Sequence, residues 1–251
     1  MPFPRLVPCL DCRDGRVVKG VRFRGLRDAG DPAALAARYA ATGADEIVLL
    51  DVAATVAGRD HAAATVAAVR AVLPIPLTAG GGVRTIDDAA RLLDAGADKV
   101  AVNSAALARP ELLGELAGRF GAQCVVIAID AIRAGDGGYE ALSHAGGART
   151  GRDAIAWARA AVAAGAGEVL LTSVDRDGTG AGYDLELVRA VAASVTAPVI
   201  ASGGARGAAD LAAAFAAGAD AALLASALHD GASTVEGLKD QLLGLGVAVR
   251  R

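Results

Sequence analysis

Laid against itself at an offset of 122, the sequence repeats over more than sixty residues without a gap. GADEIVLLD from Gly43 falls on GAGEVLLTS from Gly165, and Gly81-Gly82-Val83-Arg84 falls on Gly203-Gly204-Ala205-Arg206. Asp88 meets Asp210, Gly96-Ala97-Asp98 meets Gly218-Ala219-Asp220, and Ser104-Ala105 meets Ser226-Ala227. A constant register over that span points to two fused halves, about 1–122 and 123–251, with the same run of elements in each.

Those elements are legible as alternating short and long segments. β-rich runs recur at 5–11, 46–51, 75–79, 99–103, 124–130, 168–173, 198–202 and 221–226, which makes eight. Between them lie alanine-rich stretches with apolar spacings of three and four, such as AALAARYAATG and IDDAARLLDAG, each closed by glycine. Eight strand–helix units in 251 residues, with no long polar linker, predict a single (βα)8 barrel, a TIM barrel of the α/β class. An open doubly wound sheet is the alternative; two matching halves of four units each favour closure.

Composition removes several function classes. The chain is 54% hydrophobic, yet no run of about 18 apolar residues is uninterrupted, so no membrane span is expected. The opening MPFPRLVPCLDCRD reaches charge within five residues and lacks the apolar core of a secretion signal, which reads as cytoplasmic. A net charge of −3 and an aromatic share of 3% give neither a basic field nor stacking platforms for nucleic acid. Cys9 and Cys12 form a CxxC pair, but it lies along a strand and has no second pair to complete a zinc site. No metal or other cofactor is called for. Of the 25 basic residues only Lys19, Lys99 and Lys239 are lysines, and Asn103 is the one asparagine.

In a barrel of this kind the reactive groups stand at the C-terminal ends of the strands, where glycine-rich loops offer backbone N–H groups to phosphate. Gly80-Gly81-Gly82 follows the third predicted strand and Asn103-Ser104 ends the fourth; Ser202-Gly203-Gly204 follows the seventh and Ser226 ends the eighth. Two glycines after a strand can serve a tight turn alone. Turn geometry does not require a serine hydroxyl at the matching place in both halves, so two phosphate cradles facing across the mouth are expected. Asp177-Gly178-Thr179 lies beside the second. Asp11 and Asp130 end the first and fifth strands, on opposite sides of an eight-membered ring, and suit acid/base work on a substrate held between them. A strand-end aspartate is also a common helix cap. Asp51 and Thr172 are further candidates for holding substrate hydroxyls.

The blocks PCLDCRDGRVVKG, GDP at 30–32, GADEIVLLDVAAT, GGGVRT, GADKVAVNSAA, VVIAIDA, GAGEVLLTSVDRDGT and ASGGA run almost end to end. In order and spacing they resemble the cyclase subunits of imidazole glycerol phosphate synthase in histidine biosynthesis. The resemblance implies a lyase-type cyclase that takes a bisphosphorylated formimino-aminoimidazole carboxamide ribonucleotide and ammonia. It places catalysis on Asp11 and Asp130, and phosphate contacts on Gly82, Asn103 and Ser104 at one end. At the other end the contacts fall on Asp177, Gly178, Gly203, Gly204 and Ser226. It puts Lys19 on a long mobile loop after the first strand, closing over substrate. It also reads Arg5, Glu46, Lys99 and Glu168 as a charged ring at the barrel bottom, a gate for ammonia from a glutaminase subunit docked on that face, with Asp98 and Gln123 nearby. SHAGGARTG is one residue longer than in some relatives, and Ser104 replaces a common threonine. The sister isomerase of the same pathway shares the doubled barrel and the aspartates but needs no ammonia passage. A non-catalytic barrel that only binds a phosphorylated ligand is the other alternative.

Overall fold

A computed structural model describes residues 3–21, 24–52, 62–135 and 137–250. In chain order its strands are β1 (Arg5–Arg13), β2 (Arg16–Val21), β3 (Arg24–Gly30), β4 (Ile47–Asp51), β5 (Leu77–Gly80), β6 (Lys99–Val102), β7 (Val125–Arg133), β8 (Tyr139–Ser143), β9 (Ala148–Asp153), β10 (Glu168–Ser173), β11 (Val199–Ser202) and β12 (Ala221–Leu224). The α-helices are α1 (Pro32–Ala41), α2 (Ala62–Arg70), α3 (Ile86–Asp94), α4 (Ser104–Ala108), α5 (Glu111–Phe120), α6 (Ala154–Ala163), α7 (Leu185–Ala192), α8 (Ala208–Ala216), α9 (Ser226–His229) and α10 (Val235–Gly244).

Eight of the strands close a parallel ring in the order β1-β4-β5-β6-β7-β10-β11-β12, with β12 pairing back to β1. The chain is a (βα)8 barrel. β1 and β7 stand four places apart, so Asp11 and Asp130 face each other across it. Because successive side chains on a strand point to opposite faces, each strand divides between two cores. Val7, Cys9, Val48, Ala101, Val126, Leu170, Ile200 and Leu223 fill the inside. Leu6, Leu10, Ile47, Leu49, Ile127 and Leu171 pack outward under the helices. Cys9 and Cys12, three apart, therefore fall in different cores, and their thiols cannot share a ligand.

Helix starts follow the sequence closely. Asp31 caps α1 by accepting from Ala34 N–H at 2.9 Å, with Pro32 in the first turn, and Thr85 with Asp88 forms a capping box on α3. None of the described helices is long and apolar enough to cross a membrane.

The expected loop from Asp11 to Asp31 is instead largely β-structure. β1 runs past Asp11, turns at Asp14-Gly15, both with positive φ, and pairs antiparallel with β2, which pairs with β3. Two consecutive left-handed residues make the tight turn whose twist suits a hairpin. β7 likewise runs past Asp130 into antiparallel β8 and β9, so SHAGGARTG supplies a strand end, a turn and a second strand. Each aspartate-bearing strand thus carries a β extension above the barrel mouth. Residues 53–55 of the DVAAT block lie outside the described residues.

Candidate active site

The strand ends open into one cavity of about 730 Å³. Its floor is the inner apolar layer, including Cys9, Leu50, Ala101, Ala128 and Leu170. Asp11, Asp130 and Thr172 reach it from the inner faces of β1, β7 and β10. Asp51 also lines it, although it shares strand parity with the outward residues Ile47 and Leu49, so it stands at the rim rather than over the centre. Gly82, Asn103 and Ser104 form one side of the wall. Asp177, Gly178, Ser202, Gly203, Gly204 and Ser226 form another.

Residues 122 apart adopt the same geometry around this cavity. Gly81 and Gly203 have φ of +99° and +96°, and a Cβ would lie 2.2 Å from the Asp51 carbonyl oxygen in the first and 2.6 Å from that of Ser173 in the second. Only glycine fits there, because the φ is left-handed and a neighbouring backbone occupies the side-chain position. Asn103 and Ala225 share φ/ψ of −126°/−88° and −129°/−82°. The match extends to the other end of the barrel, where Asp98 and Asp220 accept from Leu77 and Val199 N–H at 2.8 and 2.9 Å. The Ser104 hydroxyl is already engaged, accepting from His144 N–H at 2.8 Å and so tying the β8–β9 turn to the first glycine wall.

Both aspartates are shifted into the range where acid/base chemistry at neutral pH is available. Burial raises the Asp11 carboxyl to about 7, the negative Asp177 adds to the shift, and a hydrogen bond from the Cys9 thiol at 3.5 Å opposes it. Burial likewise raises Asp130 to about 7, helped by Asp177 and Asp11 and opposed by the Asn103 amide, which donates at 3.0 Å. Two carboxyls facing one cavity resist ionising together, so near neutrality one can hold a proton while the other accepts one. Asp177 is thus an electrostatic partner of both as well as part of the wall.

Lys19 is not in the cavity wall. It lies on β2, buried, in an ion pair with Asp230, which does line the cavity. Arg84, Arg206 and His144 also line the cavity and were not singled out by motif. The two arginines are repeat mates, and that register was the signal that could have found them.

At the opposite end of the barrel, Arg5 Nη1 donates to Glu46 at 2.6 Å and Nη2 pairs with Glu168. Lys99 Nζ bridges the same two carboxylates at 2.9 and 2.7 Å, and Thr78 Oγ1 donates to Glu46 at 2.6 Å. The glutamates are buried while Arg5 and Lys99 keep 24% and 19% side-chain exposure, so the ring is sealed inward and reachable from outside. Asp98 is held by Arg70 at 2.8 Å, and Gln123 lies in a short 3₁₀ turn, residues 122–124, before β7.

The family model described as "Histidine biosynthesis protein" matches residues 5–234. Among curated proteins, "Imidazole glycerol phosphate synthase subunit HisF" of Myxococcus xanthus (strain DK1622) is 58% identical over 247 residues, covering 98% of this chain and 97% of that protein. The proteins of the same name from Synechococcus sp. (strain CC9311) and Corynebacterium diphtheriae are 55% and 52% identical, with 98% of this chain covered in each and 95% and 98% of theirs. With a barrel of the expected closure and near-complete coverage at this identity, the chain belongs to the histidine biosynthesis protein family, as an enzyme of its imidazole glycerol phosphate synthase cyclase branch.

Proposed function

We propose that this enzyme works at both ends of its barrel, admitting ammonia at the bottom and closing an imidazole ring at the top. The substrate is a bisphosphorylated formimino-aminoimidazole carboxamide ribonucleotide; the products are imidazole glycerol phosphate and aminoimidazole carboxamide ribonucleotide. One phosphate sits against Gly82, Asn103 and Ser104, the other against Gly178, Ser202, Gly203, Gly204 and Ser226. Asp11 and Asp130 flank the reacting centre and exchange protons with it, while Asp177 keeps their affinity for protons high. Asp51 and Thr172 hold substrate hydroxyls, and Lys19 attends the substrate from β2. The two cradles belong to fused half-barrels of about 1–122 and 123–251.

One observation carries the reading. Arg5, Val7, Cys9 and Asp11 alternate along β1, so the ring residue and the reacting carboxyl share the strand's inner parity. Glu46 and Lys99 have the same relation to Leu50 and Asn103, and Glu168 to Thr172. Between the two ends lies the apolar inner layer, which favours passage of neutral ammonia over the ammonium ion. A subunit that releases ammonia from glutamine fits on the ring face, with Asp98 and Gln123 at its edge.

The test is product identity. Purified chain given the bisphosphorylated ribulosyl substrate and an ammonium salt at alkaline pH is expected to release imidazole glycerol phosphate. Isomerisation of the aldose precursor with no cyclised product would overturn the reading in favour of the sister isomerase.

A further inference from the structure

We propose that Asp230 is a positioning residue for Lys19, setting its ammonium at the rim of the second phosphate cradle. The proposal rests on the reading above that Lys19 attends the substrate, and adds what places it.

Lys19 and Arg27 are register partners on antiparallel β2 and β3. Like charges directly opposite one another in such a pair repel. Here both converge on Asp230 Oδ1, Lys19 through Nζ and Arg27 through Nη2 at 3.0 Å. Lys19 is only 7% exposed, so its charge has little water and needs a fixed anion. Lys19 and, behind it, Arg27 hold the Asp230 carboxyl below its usual range, which keeps that anion ionised. His229 adjoins the group and adds no charge near neutrality. Burial first, then Lys19, pushes it down to about 4, and its Nδ1 lies 2.6 Å from the Tyr39 hydroxyl.

The cluster therefore carries one net positive charge. Asp230 follows the short helix α9 that opens at Ser226, so that charge stands beside the second cradle, where Arg206 and Asp177 join the glycines and hydroxyls as further charged groups. A phosphate dianion is drawn to such a place. The repeat mate of Asp230 is Ala108, so this carboxylate belongs to one end of the mouth.

The test is a double-mutant cycle on the full chain, with the bisphosphorylated substrate and an ammonium salt, read in kcat/KM. Asp230→Asn is expected to lower kcat/KM about tenfold, Asp230→Glu to recover most of it, and Lys19→Met to lose more. In the Lys19→Met background, Asp230→Asn should change kcat/KM by less than about twofold, because its effect runs through Lys19. An unchanged or raised kcat/KM in Asp230→Asn overturns the proposal. So does a tenfold loss that persists with Lys19 already gone, which is what a merely structural role would give. Lys19→Met with wild-type kcat/KM sinks instead the underlying reading of Lys19, a distinguishable result.

Discussion

Replacing Asp130 with asparagine should make this protein more stable and less active at the same time. The carboxyl is 8% exposed, and burial first, then Asp177 and Asp11, raise it from 3.8 to about 7. The folded state therefore keeps a proton that the unfolded chain releases above about pH 4. Stability contributed by this group is full below that pH and falls as pH rises to about 7. At roughly 1.4 kcal/mol per unit the loss is ~4 kcal/mol at most, and water in the open cavity reduces it to ~2–4 kcal/mol. Asparagine has the same shape, cannot ionise, and still offers Oδ1 to the Asn103 amide that now donates to Asp130. Urea denaturation of wild type and Asp130→Asn, run from pH 5 to pH 8, checks this. The variant should gain on wild type by about 2 kcal/mol over that interval. A variant no more stable than wild type at pH 8, or a gain that does not vary with pH, would refute the electrostatic account of the site.

Gly81→Ala should cost more than about 3 kcal/mol or prevent folding, because its Cβ would lie 2.2 Å from the Asp51 carbonyl oxygen at φ +99°. Gly118→Ala, inside α5 with open space around it, should instead stabilise by about 0.5–1 kcal/mol; chemical denaturation of both decides, and similar values would undo the close-approach argument. Lys99→Ala leaves two buried glutamates with Arg5 as their remaining cation in the ring, and should destabilise by about 2–4 kcal/mol at pH 8. With the glutaminase subunit present, the same variant should alter glutamine-dependent turnover more than ammonia-dependent turnover, and equal effects on both would count against the gate.

The barrel itself was legible because its signals are local. Most barrel strands are apolar runs with a glycine near one end, and the 122-residue register pairs Gly81 with Gly203 and Ser104 with Ser226. The scarce lysines were also an honest clue. Lys19, Lys99 and Lys239 all lie in ion pairs, the last with Asp45 at 3.0 Å in a buried setting that suits a compact ammonium. The β extensions were missed for a tertiary reason. In RVVKGV two valines are adjacent, which breaks the alternation of a strand, and SHAGGARTG is small and glycine-rich; both segments pair because β1 and β7 protrude beyond the barrel. Only the Asp14-Gly15 turn announced the first of them. Asp230 left no trace at all, since its mate in the repeat is an alanine. The bottom ring came from family likeness, although strand parity counted back from Asp11 leads to Arg5 by itself.

Two carboxyls facing one cavity are the centre of the account, and ammonia-dependent turnover of wild type, Asp11→Asn and Asp130→Asn at saturating substrate tests them most directly. Each substitution is expected to lower kcat by at least about 100-fold while KM stays within a few-fold, since the proposed phosphate cradles are untouched. Full turnover in either variant would contradict the assignment of proton transfer to Asp11 and Asp130.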